Sequence, residues 1–309
     1  MSVAQSGPNS VWTTRRLLSW MNDTFTQRGV ESPRLCAEML LCHVIGCDRL
    51  RLYMDSDRPA TPIERQSLRE LVARALAHEP IQYLIGEAWF FGLPMHVDRR
   101  VLIPRPCTAI IVEQVIQHAR GRPGFGGHEG DALLIADVCT GSGCIAVAIA
   151  RHLQHARIMA TDLSPSALEV ARQNAERHAV ADRIDTICGD LLEPLLNHPV
   201  AGNKASLGAL VANPPYIPDS EWDDVAPHVR NHEPTTALRG GTEGLDFVAP
   251  IIAHAPPLLR PGGLLAIEIA TRTADTVLRI AQNHPLLTSP QILRDDDGLP
   301  RTLVAWRNA

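Results

Sequence analysis

The sequence predicts an open, mostly parallel α/β sheet preceded by a small helical bundle. Three observations predict it. Residues 133–146, Leu-Leu-Ile-Ala-Asp-Val-Cys-Thr-Gly-Ser-Gly-Cys-Ile-Ala, read as a buried strand, a glycine-bearing turn and a small-residue helix. That is the opening unit of a sheet that binds ligands at the carboxyl ends of its strands. Polar residues at strand ends, Asp137, Asp162, Asp190 and Asn213, then form one ordered row. Ahead of them, residues 11–80 carry apolar spacings of three and four, the helical period.

Taken in order, residues 1–10 are polar and expected to be loose. Residues 11–28 predict a helix with Leu18, Met21 and Phe25 on one face, stopped by Gly29. Ser32-Pro33 predicts a capped start to the next helix, whose buried stripe is Leu35, Met39, Leu40 and Val44 and whose end is Gly46. Thr61-Pro62-Ile63-Glu64 is a capping box ahead of Leu68, Leu71, Val72 and Ala75. Residues 89–101, aromatic and β-branched around Gly92-Leu93-Pro94, predict a hairpin, with Phe90 and Phe91 filling a junction rather than covering a ligand. A helix follows over 108–119, then a glycine- and proline-rich loop over 122–131. From residue 132 the sheet predicts strands at 133–138, 157–161, 184–187, 207–212, 264–269, 289–293 and 302–306, with a longer polar loop over 194–206. The acid run Asp295-Asp296-Asp297 reads as a solvated turn between the last two.

Bulk properties exclude several classes. The apolar fraction of 45% is ordinary for a soluble protein, and no apolar run is long enough to span a membrane. Net charge is −5. Residues 1–86 hold ten arginines against nine acids, and the remainder nineteen bases against twenty-five acids. Neither part has the basic footprint of a nucleic-acid binder, so no direct nucleic-acid binding is expected. Seven cysteines, an odd number without a Cys-x-x-Cys pair, predict a reducing compartment and no zinc site. His228 and His232 are four apart but among prolines, which excludes a helical metal pair. With no secretory signal, a bacterial-type cytoplasm is the expected location.

The chemistry concentrates in Asn213-Pro214-Pro215-Tyr216, after the strand over 207–212. Two prolines stiffen the loop. The Pro214 carbonyl is left free as an acceptor, Asn213 adds a side-chain carbonyl oxygen, and Tyr216 adds a flat face. Such a group suits a planar NH₂, with two acceptors for two N–H bonds: an amide or an exocyclic base amine. Upstream, Gly141 and Gly143 permit close approach of a ligand and of the helix to the strand. Asp162 at the end of the second strand suits a ribose diol. A dinucleotide site is the first rival. It is disfavoured because Cys139 stands where its first glycine belongs and the Asn-Pro-Pro-Tyr loop has no role in hydride transfer. No Lys-Ser or Lys-Thr follows the turn, so a nucleotide phosphate loop is also absent.

This row resembles the class I S-adenosylmethionine-dependent methyltransferases, which implies a Rossmann-like, seven-stranded sheet. In that resemblance Cys139, Thr140, Gly141, Ser142 and Gly143 face the methionine moiety of S-adenosyl-L-methionine. Asp162 holds the ribose, Asp190 and Leu191 flank the adenine, and Asn213 sits beside the methyl donor. The resemblance narrows through Leu102-Ile103-Pro104-Arg105-Pro106, His232-Glu233-Pro234, the run from Gly240 to Asp246, Leu259-Arg260-Pro261-Gly262-Gly263 and Asp296-Asp297-Gly298-Leu299-Pro300-Arg301. In that order they are similar to the protein-glutamine methyltransferases. Ser32-Pro33, Ala37-Glu38-Met39-Leu40-Leu41 and residues 79–86, Glu-Pro-Ile-Gln-Tyr-Leu-Ile-Gly, are similar to the branch acting on peptide chain release factors.

The family resemblance implies three parts. Residues 1–86 are a helical substrate-docking domain, 87–106 a β-hairpin linker and 107–309 the methyltransferase domain. It implies methyl transfer to the glutamine of a Gly-Gly-Gln loop, with a release factor as partner and a monomeric enzyme. Asn213, Pro214, Pro215 and Tyr216 would bind the substrate amide, with Asn213, Pro214 and Tyr216 as the catalytic set and no metal. The sequence departs from the family pattern at Cys139, at Ser142-Gly143-Cys144, at Cys107-Thr108-Ala109 and at Ala270-Thr271. The cysteines favour a sister branch that methylates a large-subunit ribosomal protein. An amino methyltransferase of adenine or guanine and a non-catalytic module that kept the cofactor fold are further alternatives.

Overall fold

The computed structural model describes residues 11–121, 133–202 and 205–309. The expected loop over 122–131, residue 132 and the loose start over 1–10 lie outside the described residues, as do 203 and 204 of the loop over 194–206. The chain divides into two compact units, Met1–Gly86 and Glu87–Ala309.

Among the described residues the first unit is a bundle of five helices. In α1 (Thr14–Gln27) the Thr13 side chain accepts from the Arg16 N–H, and Leu17, Met21 and Phe25 form the buried face. Leu18, expected on that face, is only half-buried. α2 (Pro33–Ile45) begins at Pro33, but Ser32 makes no side-chain cap and holds a left-handed φ of 48°. Its buried residues are Ala37, Glu38, Leu40 and Leu41, while Leu35 is exposed. The predicted stripe is therefore rotated, because a buried acid occupies a position that periodicity gives to an apolar residue. Glu38 is held there by Arg34, Arg49 and Tyr53. α3 (Arg49–Met54) is too short for periodicity to reveal, and Asp48 caps it through the Arg51 N–H. α4 (Pro62–Leu76) starts on the expected capping box, both halves formed, and α5 (Ile81–Ile85) closes the unit.

The second unit opens on a hairpin, β1 (Glu87–Phe90) with β2 (Leu93–His96). Phe91 and Gly92 turn it, both at positive φ (50° and 75°), as a two-residue turn requires. After α6 (Ala109–Gly121) come β3 (Leu133–Val138), α7 (Cys144–His152), β4 (Ala156–Asp162), α8 (Pro165–Arg177), β5 (Ile184–Cys188) and α9 (Glu193–Leu196). Then follow β6 (Leu207–Ala212), α10 (Pro227–Arg230), α11 (Val248–His254), β7 (Leu259–Glu268), α12 (Ala274–Gln282), β8 (Leu287–Arg294) and β9 (Pro300–Arg307). β7 begins five residues before the expected start, pairing Leu259 with Leu207 across a register shift. The acid run is not wholly solvated: Asp295 accepts from the Asp297 and Leu299 N–H groups and from Arg301.

The seven strands lie in the order β5-β4-β3-β6-β7-β9-β8. All run parallel except β9, which is antiparallel to both neighbours. Side chains alternate across the sheet. Ala136, Val138, Leu210, Ala212, Leu265 and Ile267 pack with Val248, Ile251, Ile252 and Val277 of α11 and α12. From β3 the connections step outward in both directions, through β4 and β5 on one side and β6 and β7 on the other. The crevice at the carboxyl ends of β3 and β6 is thus the switch point where such sheets bind ligands. Among the described residues no helix is long and apolar enough to cross a membrane.

Candidate active site

A cavity of about 790 Å³ opens at that switch point. Register brings its parts to one edge: Val138 of β3 pairs with Thr161 and with Ala212, and Asp162 pairs with Cys188. The loops after β3, β4, β5 and β6 therefore leave the sheet at one level. They bring Cys139, Thr140, Gly141, Ser142, Asp162, Asp190, Leu191, Asn213 and Pro215 into the cavity wall. Gly143, Pro214 and Tyr216 lie outside the lining. Gly143 caps α7 at φ 76°, and a Cβ there would stand 3.0 Å from that of Ala171 on α8. Its smallness serves helix packing. Phe90 and Phe91 are also outside the lining; Phe91 meets His152 edge-on at 5.0 Å.

The turn after β3 is held by two acids with different surroundings. Asp137 is fully buried and does not line the cavity, so it leaves the ordered row that the sequence suggests. Its Oδ2 accepts from Thr140 Oγ1 at 2.6 Å and from the Ala146 N–H at 3.2 Å, while Oδ1 has no partner. Burial pushes this carboxyl up to about 7. Asp162 does line the cavity. It accepts from the Gly141 N–H at 2.8 Å and the Ser164 N–H at 2.9 Å. Burial raises its carboxyl too, and those two N–H groups offset that rise only in part. The cap of α8 is Ser164, which accepts from the Ala167 N–H. Burial also drives up the thiols of Cys139 and Cys144, the latter to about 12, so neither is a thiolate nucleophile near neutral pH.

The loop after β6 is tied down from three sides. Asn213 Nδ2 donates to Thr108 Oγ1 at 3.3 Å, while its Oδ1 is buried with no partner. Among the described residues no backbone N–H donates to the Pro214 carbonyl. The Tyr216 hydroxyl, expected to belong to a ring facing the ligand, donates instead to Glu268 Oε1 at 2.9 Å. Behind it runs the 238–244 segment, joined through Ile217 N–H to Leu238 O at 2.9 Å and Gly240 N–H to Ile217 O at 2.8 Å.

Sequence reasoning missed several positioning residues. Buried Asn174 accepts from the His96 N–H and donates to the His96 and Ser142 carbonyls, linking the hairpin to the glycine turn. Glu233 accepts from the Ile103 N–H at 3.0 Å and from Arg105, joining two stretches of the cavity wall. Asn174 had no sequence signal, because its partners are backbone groups distant in the chain. Glu233 and Arg105 were visible only as members of the motifs that carry the family resemblance, and Glu268 was not singled out.

Known proteins resemble the chain along nearly all its length. The family model described as the PrmC N-terminal domain matches residues 16–86, and a methyltransferase domain model matches residues 135–232. The release factor glutamine methyltransferase of Geobacter sulfurreducens is 40% identical over 268 residues, 87% of this chain and 88% of the relative. That of Chlorobaculum tepidum is 40% identical over 294 residues, 95% of this chain and 97% of the relative. A methyltransferase from Pyrococcus furiosus shares the fold, with a TM-score of 0.50 at 16% identity, covering 79% of this chain and all of that one. The relatives carry the release-factor name, so the ribosomal-protein branch is not favoured. With matches this long and this similar, the chain belongs to the release factor glutamine methyltransferase family.

Proposed function

We propose that this chain transfers a methyl group from S-adenosyl-L-methionine to the side-chain amide nitrogen of the glutamine in the Gly-Gly-Gln loop of peptide chain release factors. One observation carries the assignment of the site. On the cavity wall, Asn213 turns a buried, unpartnered Oδ1 away from Thr108, which holds its Nδ2. A buried acceptor without a partner is costly, and a ligand N–H relieves that cost. The adjacent Pro214 carbonyl, with no backbone donor among the described residues, would supply a second acceptor at the edge of the cavity, outside its lining. Two acceptors match the two N–H bonds of a primary amide.

The cavity fits the cofactor as well. Its volume of about 790 Å³ is that of a small-molecule site. Nothing lies within 4 Å of where a Cβ on Gly141 would stand, which leaves room for close approach to the turn. Cys139, Thr140, Gly141 and Ser142 would hold the methionine end, Asp162 the ribose, and Asp190 with Leu191 the adenine. S-adenosyl-L-methionine supplies an electrophilic methyl group. The residues of the chain supply position. An amide nitrogen is a weak nucleophile because its lone pair is delocalised into the carbonyl. Acceptors on both N–H bonds fix that nitrogen and favour a lone pair directed forward. Asn213 and Pro214 take that role, and Tyr216, bonded to Glu268, supports their loop. A glutamate carboxylate cannot donate to either acceptor, so the same pair rejects it. Residues 1–86 dock the release factor, because every exposed glutamine presents the same amide and selectivity needs surface beyond the pocket.

The test uses labelled donor with a release factor, a large-subunit ribosomal protein and nucleic acid in separate reactions, with the methyl group located by mass spectrometry. Methyl on the release-factor glutamine alone is expected. Asn213→Ala should lower the single-turnover rate by about 10²-fold while moving cofactor affinity much less. Equal loss of both would reassign Asn213 to cofactor binding.

A further inference from the structure

Glu268 ends β7, is fully buried and stands outside the cavity lining. Three donors converge on its carboxylate. Thr108 Oγ1 donates to Oε2 at 2.6 Å, the Tyr216 hydroxyl donates to Oε1 at 2.9 Å, and Cys107 Sγ approaches Oε1 at 3.8 Å. An ionised carboxylate only accepts, and three converging donors match that form. Burial raises this carboxyl, and the Thr108 and Tyr216 hydroxyls offset that rise only in part.

A threonine hydroxyl has one proton. Thr108 gives it to Glu268, so its oxygen can only accept from Asn213. The Asn213 amide must then present Nδ2 to Thr108, at 3.3 Å, and Oδ1 to the other side. The two ends of an asparagine amide are nearly identical in shape and opposite in polarity. No other contact of the Asn213 amide distinguishes them, because Oδ1 has no protein partner. We propose that Glu268 is the positioning residue of this site: through Thr108 it sets the polarity of the Asn213 amide, and directly it anchors Tyr216. A donor-facing Asn213 would repel the substrate NH₂ that an acceptor-facing one holds. The inference rests on the reading of Asn213 as the amide acceptor.

The experiment measures single-turnover methylation of a release factor by the full-length protein, beside calorimetric binding of the demethylated cofactor product. Thr108→Val keeps the shape and removes the hydroxyl; Thr108→Ser keeps the hydroxyl. The Val variant should lose roughly 30-fold in rate with cofactor affinity within about threefold of the parent, and Ser should restore most of the rate. Glu268→Gln should behave as Val does. In an Asn213→Ala background, Thr108→Val should change the rate no further, because its effect passes through Asn213. A Val variant as fast as the parent, or one that slows the Asn213→Ala protein by the same factor, overturns the inference while leaving Asn213 as acceptor. An Asn213→Ala protein as fast as the parent removes that reading, and the inference with it. If Glu268→Gln fails to fold, the Thr108 pair and the double variant decide alone.

Discussion

Asp137 and Asp162 stand at the ends of neighbouring strands, yet burial gives them different work. Asp137 is closed off beneath the turn, with a carboxyl pushed up to about 7. Its folded-state value lies above its unfolded one, so the folded protein binds that proton more tightly. Stability from this group is then lost as pH rises from about 4 through about 7. Asp137→Asn removes the titration, and the pH dependence of chemical denaturation should flatten across that window. An unchanged slope would show that Asp137 titrates normally. Asp162 faces the cavity, with each carboxylate oxygen already accepting one backbone N–H. Asp162→Ala removes the ribose acceptor and frees the Gly141 N–H together. Cofactor affinity should fall about 10- to 100-fold in a calorimetric titration. Undiminished affinity in a folded variant would discard the ribose assignment.

At the scale of elements, the loop after β6 owes its shape to a second loop behind it. A Cβ on Gly240 would lie 2.7 Å from Tyr216 Cα and 2.9 Å from the Pro215 carbonyl oxygen, both backbone atoms that cannot swing aside. The glycine is there so that two backbones can touch. Gly240→Ala should displace the Asn-Pro-Pro-Tyr loop and cut the single-turnover rate by about 10²-fold, since small misplacements of positioned groups weigh heavily on catalysis. Thermal melting recorded on the same variant separates this from unfolding: a melting point near that of the parent with normal activity would refute the buttress. On the other flank of the cavity, α8 reaches the hairpin and the glycine turn through Asn174 alone among its buried polar side chains.

Across the whole molecule the two units carry different surfaces. The cavity is confined to the wall built by residues 99–247 of the second unit. The first unit exposes Leu35, Leu50, Tyr53 and Met54 along α2 and α3, with Leu50 70% and Met54 74% accessible. Apolar side chains grouped in this way suit a protein partner. If residues 1–86 dock the release factor, Leu50→Asp with Met54→Asp should raise KM for the whole factor about tenfold, with turnover on a short glutamine peptide unchanged. Equal rates on the whole factor before and after substitution would move the docking surface elsewhere.

The sequence by itself determined the order of the seven sheet strands, the strand ends that meet at one edge, and the Asn-Pro-Pro-Tyr loop, because buried strands, capping boxes and glycine turns are written in neighbouring residues. It misplaced the buried stripe of α2 and the Ser32 cap, since a stripe is chosen by what packs on the helix and Glu38 is buried only by grace of Arg34, Arg49 and Tyr53. Only the tertiary structure decided that Gly143 packs against Ala171, that Tyr216 turns to Glu268, and that Thr108 links Asn213 to the same carboxylate. The three hydrogen bonds among them join residues 52 to 160 positions apart in the chain. A hydrogen bond depends on distance and direction in space, and no local pattern of residues encodes either across such separations.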